Sequence, residues 1–289
     1  MNNNYREYLL KGEQLGTSFT LTVPDYIFNG GNGLKLSNRS GSSLDFMEHR
    51  DYMPGDDLRR LDWNVYARTD RLAVKLYREE VNPRMDMLID GSSSMSLSGT
   101  AKLEATLMMA AFLTTAAVNA SFTSKCWLTR DTVIAPMNQA ALPSNWGELE
   151  FGSPANPQQA LENFYHRFQF HGIRILISDL IWNDKPEAFL SRFAQDSSMV
   201  IIIQILAERD LNPKEGNIKL VDSETGEAKE FFIDAARISK YKETLAAHRE
   251  NWNRACREYG ATLCTFTAEE LLAKWDVGEL MNKQILTVK

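Results

Sequence analysis

Three cysteines and four histidines in 289 residues leave this chain poor in the side chains that bind zinc, cross-link a fold or act as general bases. Cys126, Cys256 and Cys264 are odd in number, sit in the apolar contexts KCWL, RACREY and TLCTF, and show no CxxC or Cys/His ligand spacing. The expectation is therefore buried, reduced thiols in a cytoplasmic protein. Basic excess is lacking too. The 32 Lys+Arg against 38 Asp+Glu give a formal charge of −6, which argues against a chain that coats nucleic acid or an anionic membrane. No long apolar run is uninterrupted: Leu103 to Ala120 is broken by Glu104, Thr106, Thr114, Thr115 and Asn119, so no membrane insertion is expected. The opening MNNNYREYLLKGEQ lacks the basic-then-apolar layout of a signal peptide.

What is present is ordinary globular composition, 44% hydrophobic and 24% charged, which excludes wholesale disorder. There is no internal repeat and no low-complexity tract. Residues 1–82 read as an N-terminal extension that holds a glycine/serine-rich stretch, Asn29 to Ser43, and then a densely charged segment. From 83 to 289 the pattern alternates strands and helices, the signature of an α/β domain with a mostly parallel sheet. Short branched apolar runs predict strands at Met85–Asp90, Ser124–Thr129, Ile173–Ser178, Met199–Leu206 and Ala261–Phe266, each suited to burial on both faces. Leu103, Leu107, Ala110/Ala111, Thr114 and Val118 predict one helical stripe. Asn156-Pro157 predicts a capped helix start with Leu161, Phe164, Tyr165 and Phe168 on its apolar face. Asp184 with Glu187, and Thr267 with Glu270, have capping-box spacing. A long helix is expected from Ala235, stopped by Gly260 in the left-handed conformation. Ile218–Val221 and Glu230–Ile233 predict an inserted β-hairpin.

The sharpest chemical signal is MLIDGSSSM, a buried strand running into Asp90 with Ser92 and Ser94 at alternating positions. Ligands of open α/β sheets bind beyond the carboxyl ends of the strands, where this loop must lie. One carboxylate and two hydroxyls suit a small hard cation such as Mg²⁺. The order D-x-S-x-S resembles the metal-ion-dependent adhesion site (MIDAS) of von Willebrand factor A domains. That resemblance implies two further ligands. Ser153 would stand in FGSPANPQQAL for the family's loop threonine, with two extra residues in the loop, and Asp179 of ILISDL for its second aspartate. For Asp90-Gly91-Ser92 the bland alternative is a hydrogen-bonded turn and N-cap. Ser153 is open between a capping role and a ligand role. A serine hydrolase would want G-x-S-x-G with a histidine base, yet Gly91-Ser92-Ser93-Ser94-Met95 fails at its last position. Phosphate-loop spacing is absent as well. No catalytic residue is expected.

The second signal is the charged segment from Glu48 to Arg71, with six acids, five arginines and no lysine. Arginine pairs bidentately with carboxylates, so the stretch reads as an ion-pair hub that largely neutralises itself, as a partner-docking surface, or as both; anion binding is the weaker alternative. Met53-Pro54-Gly55-Asp56 has Pro and Gly where a type II turn prefers them. Arg50, Tyr52, Pro54, Gly55, Asp56, Asp57, Arg59, Asp62, Trp63, Ala67 and Arg68 form R-x-Y-x-P-G-D-D-x-R-x-x-D-W-x-x-x-A-R. This run resembles the hallmark of the bacterial "domain of unknown function 58" family, as does LVDSETGE at Leu220–Glu227. The resemblance implies a von Willebrand A-like domain working beside a MoxR-type AAA+ ATPase, as a non-enzymatic adaptor or co-chaperone in protein maturation or assembly. Under it, Mg²⁺ or Mn²⁺ would sit on Asp90, Ser92, Ser94, Ser153 and Asp179 and capture an acidic side chain of the ATPase or its client. The alternatives are a serine hydrolase at the Asp90–Ser94 loop and a metal-free scaffold.

Overall fold

The computed structural model describes residues 4–22, 44–79, 83–131, 133–137, 142–147, 149–162, 164–221 and 228–289. They form two compact units, Met1–Ile27 with Pro83–Lys289, and Phe28–Asn82. The glycine/serine-rich stretch 29–43 and the hairpin turn 222–227 lie outside the described residues.

The larger unit is mixed α/β. Its six-stranded sheet consists of β1 Arg84–Ile89, β2 Thr123–Arg130, β3 Val133–Pro136, β4 Ile173–Ser178, β5 Met199–Leu206 and β6 Ala261–Thr267. The order is β3-β2-β1-β4-β5-β6, parallel throughout except for the antiparallel edge pair β2–β3. The five strands expected from the sequence are all present. The chain builds outward from β1 on one side and then restarts at β4 on the other, so the strand order reverses between β1 and β4. At such a switch point the connections leave in opposite directions and open a crevice at the carboxyl edge.

Strand alternation divides the core between the two faces of the sheet. Met85, Met87 and Ile89, Ile173, Ile175 and Ile177, and Ile201, Ile203 and Ile205 face one cluster. Leu88, Leu176, Val200 and Ile202 face the other, where they meet Trp127, Phe164, Phe168, Phe189, Phe193 and Trp252. Asp86 interrupts that second face; fully buried, it accepts from Trp127 Nε1 at 3.0 Å and from the Gln169 N–H at 2.6 Å. The three cysteines are buried and unpaired with one another, and burial pushes each thiol up to about 12.

Helix Lys102–Asn119 departs from the single stripe read from its sequence. Leu107, Met109, Ala110, Phe112, Leu113, Ala116 and Ala117 are all fully buried, Leu103 is only partly so, and Val118 is exposed. The cause is a second cover: helix Asn4–Gly16 lies on the side away from the sheet. A Cβ on Gly12 would come within 2.2 Å of the Met108 carbonyl oxygen, and one on Gly16 within 2.7 Å of that of Phe112. The two backbones therefore touch where glycine permits. Asn119 Nδ2 donates to the Gly16 and Phe19 carbonyls, and strand Phe19–Leu21 pairs antiparallel with Leu286–Val288. The stretch read as one extension over 1–82 is thus divided, its first residues belonging with the sheet.

Local signals were mixed. Asn156 caps helix Pro157–Leu161 by accepting from the Gln159 N–H at 3.2 Å, and Gly260 follows helix Ala235–Glu258 at φ +66°. Asp184 is not a cap: Pro186 starts the next helix with Lys185 as its N-cap, and the Asp184 carboxylate accepts from Asn156 Nδ2 at 2.9 Å. Thr267 does occupy an N-cap position, but its hydroxyl makes no capping bond. The hairpin pairs Gly216–Val221 with Ala228–Ile233.

The smaller unit is an antiparallel pair, Leu44–Asp51 with Ala73–Glu79, joined through a 3₁₀ turn at Leu58–Arg60 and helix Trp63–Thr69. Among the described residues no helix is long and apolar enough to cross a membrane. The close helix contact yields a prediction: Gly12→Val should destabilise the chain by about 1–3 kcal/mol, since overpacking a tight contact forces backbone movement. Chemical denaturation of the two proteins measures it.

Candidate functional site

Asp90 follows β1 and Asp179 follows β4, so the switch point sets two aspartates on adjacent strand ends. Both are essentially buried, at 0% and 1% exposure. Asp90 Oδ1 accepts from the Ser92 N–H at 2.9 Å and Oδ2 from Ser178 Oγ at 2.6 Å. The turn between Asp90 and Ser92 needs glycine, because a Cβ on Gly91 would lie 2.1 Å from the Thr129 carbonyl oxygen. Thr129 holds this turn from the neighbouring strand, its hydroxyl accepting from the Gly91 N–H at 2.8 Å. Ser92 then opens a 3₁₀ turn, Ser93–Ser96, which brings Ser94 Oγ to 3.1 Å from Ser92 Oγ.

Ser153 is delivered to the same place by its backbone. Residues 92 and 153 form a parallel bridge, the Ser93 N–H donates to the Ser153 carbonyl at 2.8 Å, and the Ser153 N–H donates to the Gly91 carbonyl at 3.0 Å. Its hydroxyl, however, accepts from the Asp131 N–H at 2.6 Å and the Ala155 N–H at 3.1 Å. Both bonds tie the hydroxyl to backbone amides, one within its own loop and one at Asp131.

Asp179 meets a cation already. Lys102, the first residue of its helix and only 2% exposed, places Nζ 2.9 Å from Asp179 Oδ2 and 3.3 Å from Asp210 Oδ2. Asp179 Oδ1 accepts from the Ile181 N–H at 3.0 Å. Burial favours the neutral amine, but Asp179 and Asp210 outweigh it and hold the ammonium above its ordinary range. Asp90 is treated differently. Its carboxyl is pushed up to about 7, first by burial and then by the charge of Asp179, against hydrogen bonds from Ser178 and Ser92. Among the described residues no cation lies within ion-pair distance of Asp90.

Ser178, Lys102 and Asp210 were not singled out in the sequence. A lysine opening a mainly apolar helix was a usable signal, because a cation there opposes the helix dipole and needs local acids to remain. Among the described residues no three His, Cys, Asp or Glu side chains cluster as a metal centre. A hard cation here would rest on hydroxyls and the two strand-end carboxylates. Asp90, Ser92 and Ser94 fit it: all are hard oxygens, and the Asp90 carboxyl is short of positive charge. Asp179 contributes charge but shares an oxygen with Lys102, and the Ser153 hydroxyl fits poorly. Ser92 Oγ and Ser94 Oγ lie 3.1 Å apart, and His248 Nε2 lies 2.7 Å from the Leu180 carbonyl oxygen.

In the smaller unit the charged segment forms one Arg–carboxylate pair among the described residues. Arg50 donates to both Asp56 oxygens at 2.7 and 2.8 Å. The expected turn forms as well: Gly55 sits at φ +106°, the Asp56 N–H donates to the Met53 carbonyl at 3.0 Å, and Asp56 Oδ2 accepts the Met53 N–H. Asp62 caps helix Trp63–Thr69 and lies 2.8 Å from His49 Nε2 and 3.4 Å from Lys75 Nζ. The His49 bond leads the causes that hold its carboxyl at about 2. Asp57 caps the 3₁₀ turn by accepting from the Arg59 N–H. Arg59 and Arg68 are exposed and Tyr52 is half-buried, so the segment neutralises itself less fully than its composition implied. Trp63 is 63% exposed and packs edge-on to Tyr66.

A family model described as "Protein of unknown function DUF58" matches residues 48–251. Uncharacterized proteins of Mycobacterium tuberculosis and Mycobacterium bovis are 27% identical over 245 residues, spanning 77% of this chain and 74% of theirs. An uncharacterized Mycobacterium avium protein is 32% identical over 103 residues, 34% of this chain and 58% of that protein.

The buried Asp90 carboxyl sets a pH dependence. Between its unfolded value near 3.8 and about 7, the unfolded chain has lost a proton that the folded chain keeps, so stability falls as pH rises through that window and levels off above it. In chelator-treated protein, Asp90→Asn should remove this slope and raise stability at pH 8 by up to about 4 kcal/mol. Denaturation curves at pH 5 and pH 8 test it.

Proposed function

This chain belongs to the DUF58 family, and from that premise and the carboxyl-edge site we propose a von Willebrand A-like adaptor that binds a protein partner through a divalent cation. The observation that carries this reading is the pair of buried strand-end carboxylates, Asp90 and Asp179, of which, among the described residues, only Asp179 has a cationic partner. The Ser92 and Ser94 hydroxyls beside Asp90 complete a set of hard oxygens suited to Mg²⁺ or Mn²⁺. Asp90, Ser92 and Ser94 would hold the ion, and Asp179 would add charge. The ion would supply a Lewis-acidic position for an acidic side chain of the partner. By family resemblance the partner is a MoxR-type AAA+ ATPase or its client, and the work is protein maturation or assembly, without catalysis by this chain. The exposed Trp63 and the arginines of the smaller unit offer a second docking surface.

The metal-free scaffold reading also has one observation in its favour, since the Lys102 ammonium already neutralises part of the site. A titration separates the two. Wild-type protein should melt at higher temperature as Mg²⁺ or Mn²⁺ is added, with about 2.7 kcal/mol of stabilisation at 100 times the dissociation constant. Asp90→Ala should show no rise. The apparent affinity should weaken as pH falls below about 7, because protons then compete for Asp90. Identical melting of wild type with metal and with chelator would leave the scaffold reading standing.

A further inference from the structure

Lysine is among the residues least often fully buried, and Lys102 is 2% exposed at the first position of its helix. The helix dipole disfavours a cation at that end. Its N-cap, Ala101, gives no side-chain bond to soften the terminus. Two carboxylates offset both penalties, at 2.9 Å to Asp179 Oδ2 and 3.3 Å to Asp210 Oδ2. Asp210 is itself fixed: its Oδ2 accepts from the Ala207 N–H at 2.9 Å, and its carbonyl accepts from Tyr241 Oη at 2.8 Å. The ammonium is therefore held by carboxylates from two separate segments, one following β4 and one following β5.

From this arrangement we infer that Lys102 is a tethered cation of the Asp90–Asp179 site, and that it keeps divalent-ion affinity low in the free chain. The inference rests on the cation-site reading above. An ion on Asp90, Ser92 and Ser94 would share Asp179 with the ammonium. Two positive charges then compete for one carboxylate in a region removed from water, where their repulsion is poorly screened. Asp179 cannot turn both oxygens to a metal while Oδ2 holds Lys102 and Oδ1 holds the Ile181 N–H. The lysine thus neutralises one strand-end aspartate permanently and leaves the other to whatever ion arrives.

The test compares Mn²⁺ binding, by calorimetry and by the electron paramagnetic resonance signal of free Mn²⁺, on the full chain. Lys102→Gln alone leaves the Asp179 and Asp210 carboxylates without their cation and puts folding at risk, so it is paired with Asp210→Asn, which removes one charge of each sign. The folded double variant should bind Mn²⁺ about tenfold more tightly than wild type, because it frees the Asp179 oxygen that the ammonium held, while the Asp210 charge removed with it was paired to that same ammonium. Adding Asp179→Asn should abolish the gain. Equal or weaker Mn²⁺ binding by the folded double variant, with wild-type binding intact and lost in Asp90→Ala, would overturn the role of Lys102 and leave the cation site standing. Absence of Mn²⁺ binding from wild type and double variant alike would overturn both. Binding by the double variant alone would support both.

Discussion

Two buried carboxylates at neighbouring strand ends are the constraint around which the carboxyl edge is arranged. Taking a carboxylate out of water costs several kcal/mol unless hydrogen bonds or a counter-charge replace the lost solvation. The chain meets that cost in two ways. Asp179 receives the Lys102 ammonium, brought by the start of the central helix, together with the Ile181 N–H. Asp90 receives neutral donors among the described residues, Ser178 Oγ and the Ser92 N–H. One aspartate is charged and satisfied; the other is left sensitive to protons and cations. Gly91, Thr129 and the bridge between Ser92 and Ser153 all fix the Asp90 turn, so its geometry is set before any ligand arrives.

Lys102 begins the helix Lys102–Asn119, which is packed on both sides. The sheet covers one side and helix Asn4–Gly16 the other, with Gly12 and Gly16 allowing backbone-to-backbone approach. A helix enclosed in this way loses its amphipathic signature, because apolar residues are wanted all round. Its sequence, KLEATLMMAAFLTTAAVN, has that character.

The strands were legible because a strand buried on both faces needs a short, mainly apolar run, and β1, β4 and β5 are such runs, interrupted at Asp86, Arg174 and Gln204. Asp90, Ser92, Ser94 and Asp179 were legible for a related reason: strand ends in a parallel sheet share one edge, so residues just past them converge whatever their sequence separation. Lys102, Ser178 and Asp210 were not, since what matters about each is a partner many residues away that no local spacing encodes. The same limit explains Ser153, whose position beside Ser92 followed from the loop order but whose hydroxyl bonds to Asp131 and Ala155 did not. Asp184 carried a true capping pattern, and Asn156 on another segment claimed its carboxylate. In the charged segment, composition implied pairing but not which partners: Asp62 faces His49 and Lys75 instead of an arginine.

Charge accounting at the carboxyl edge favours a joint entry of cation and acidic partner over either alone. With Asp90 ionised, the Lys102 ammonium is shared by Asp179 and Asp210 and, among the described residues, none is left for Asp90, so the buried strand ends carry excess negative charge. An incoming carboxylate without a metal would meet that excess unscreened. A divalent ion without a partner must compete with Lys102 for Asp179 and with a proton for Asp90. Under the proposed function, the ion would neutralise the excess and the partner's carboxylate would fill the ion's open position. Mutual dependence of this kind is what the proposed adaptor needs, because neither ion nor partner would then occupy the site strongly in the other's absence.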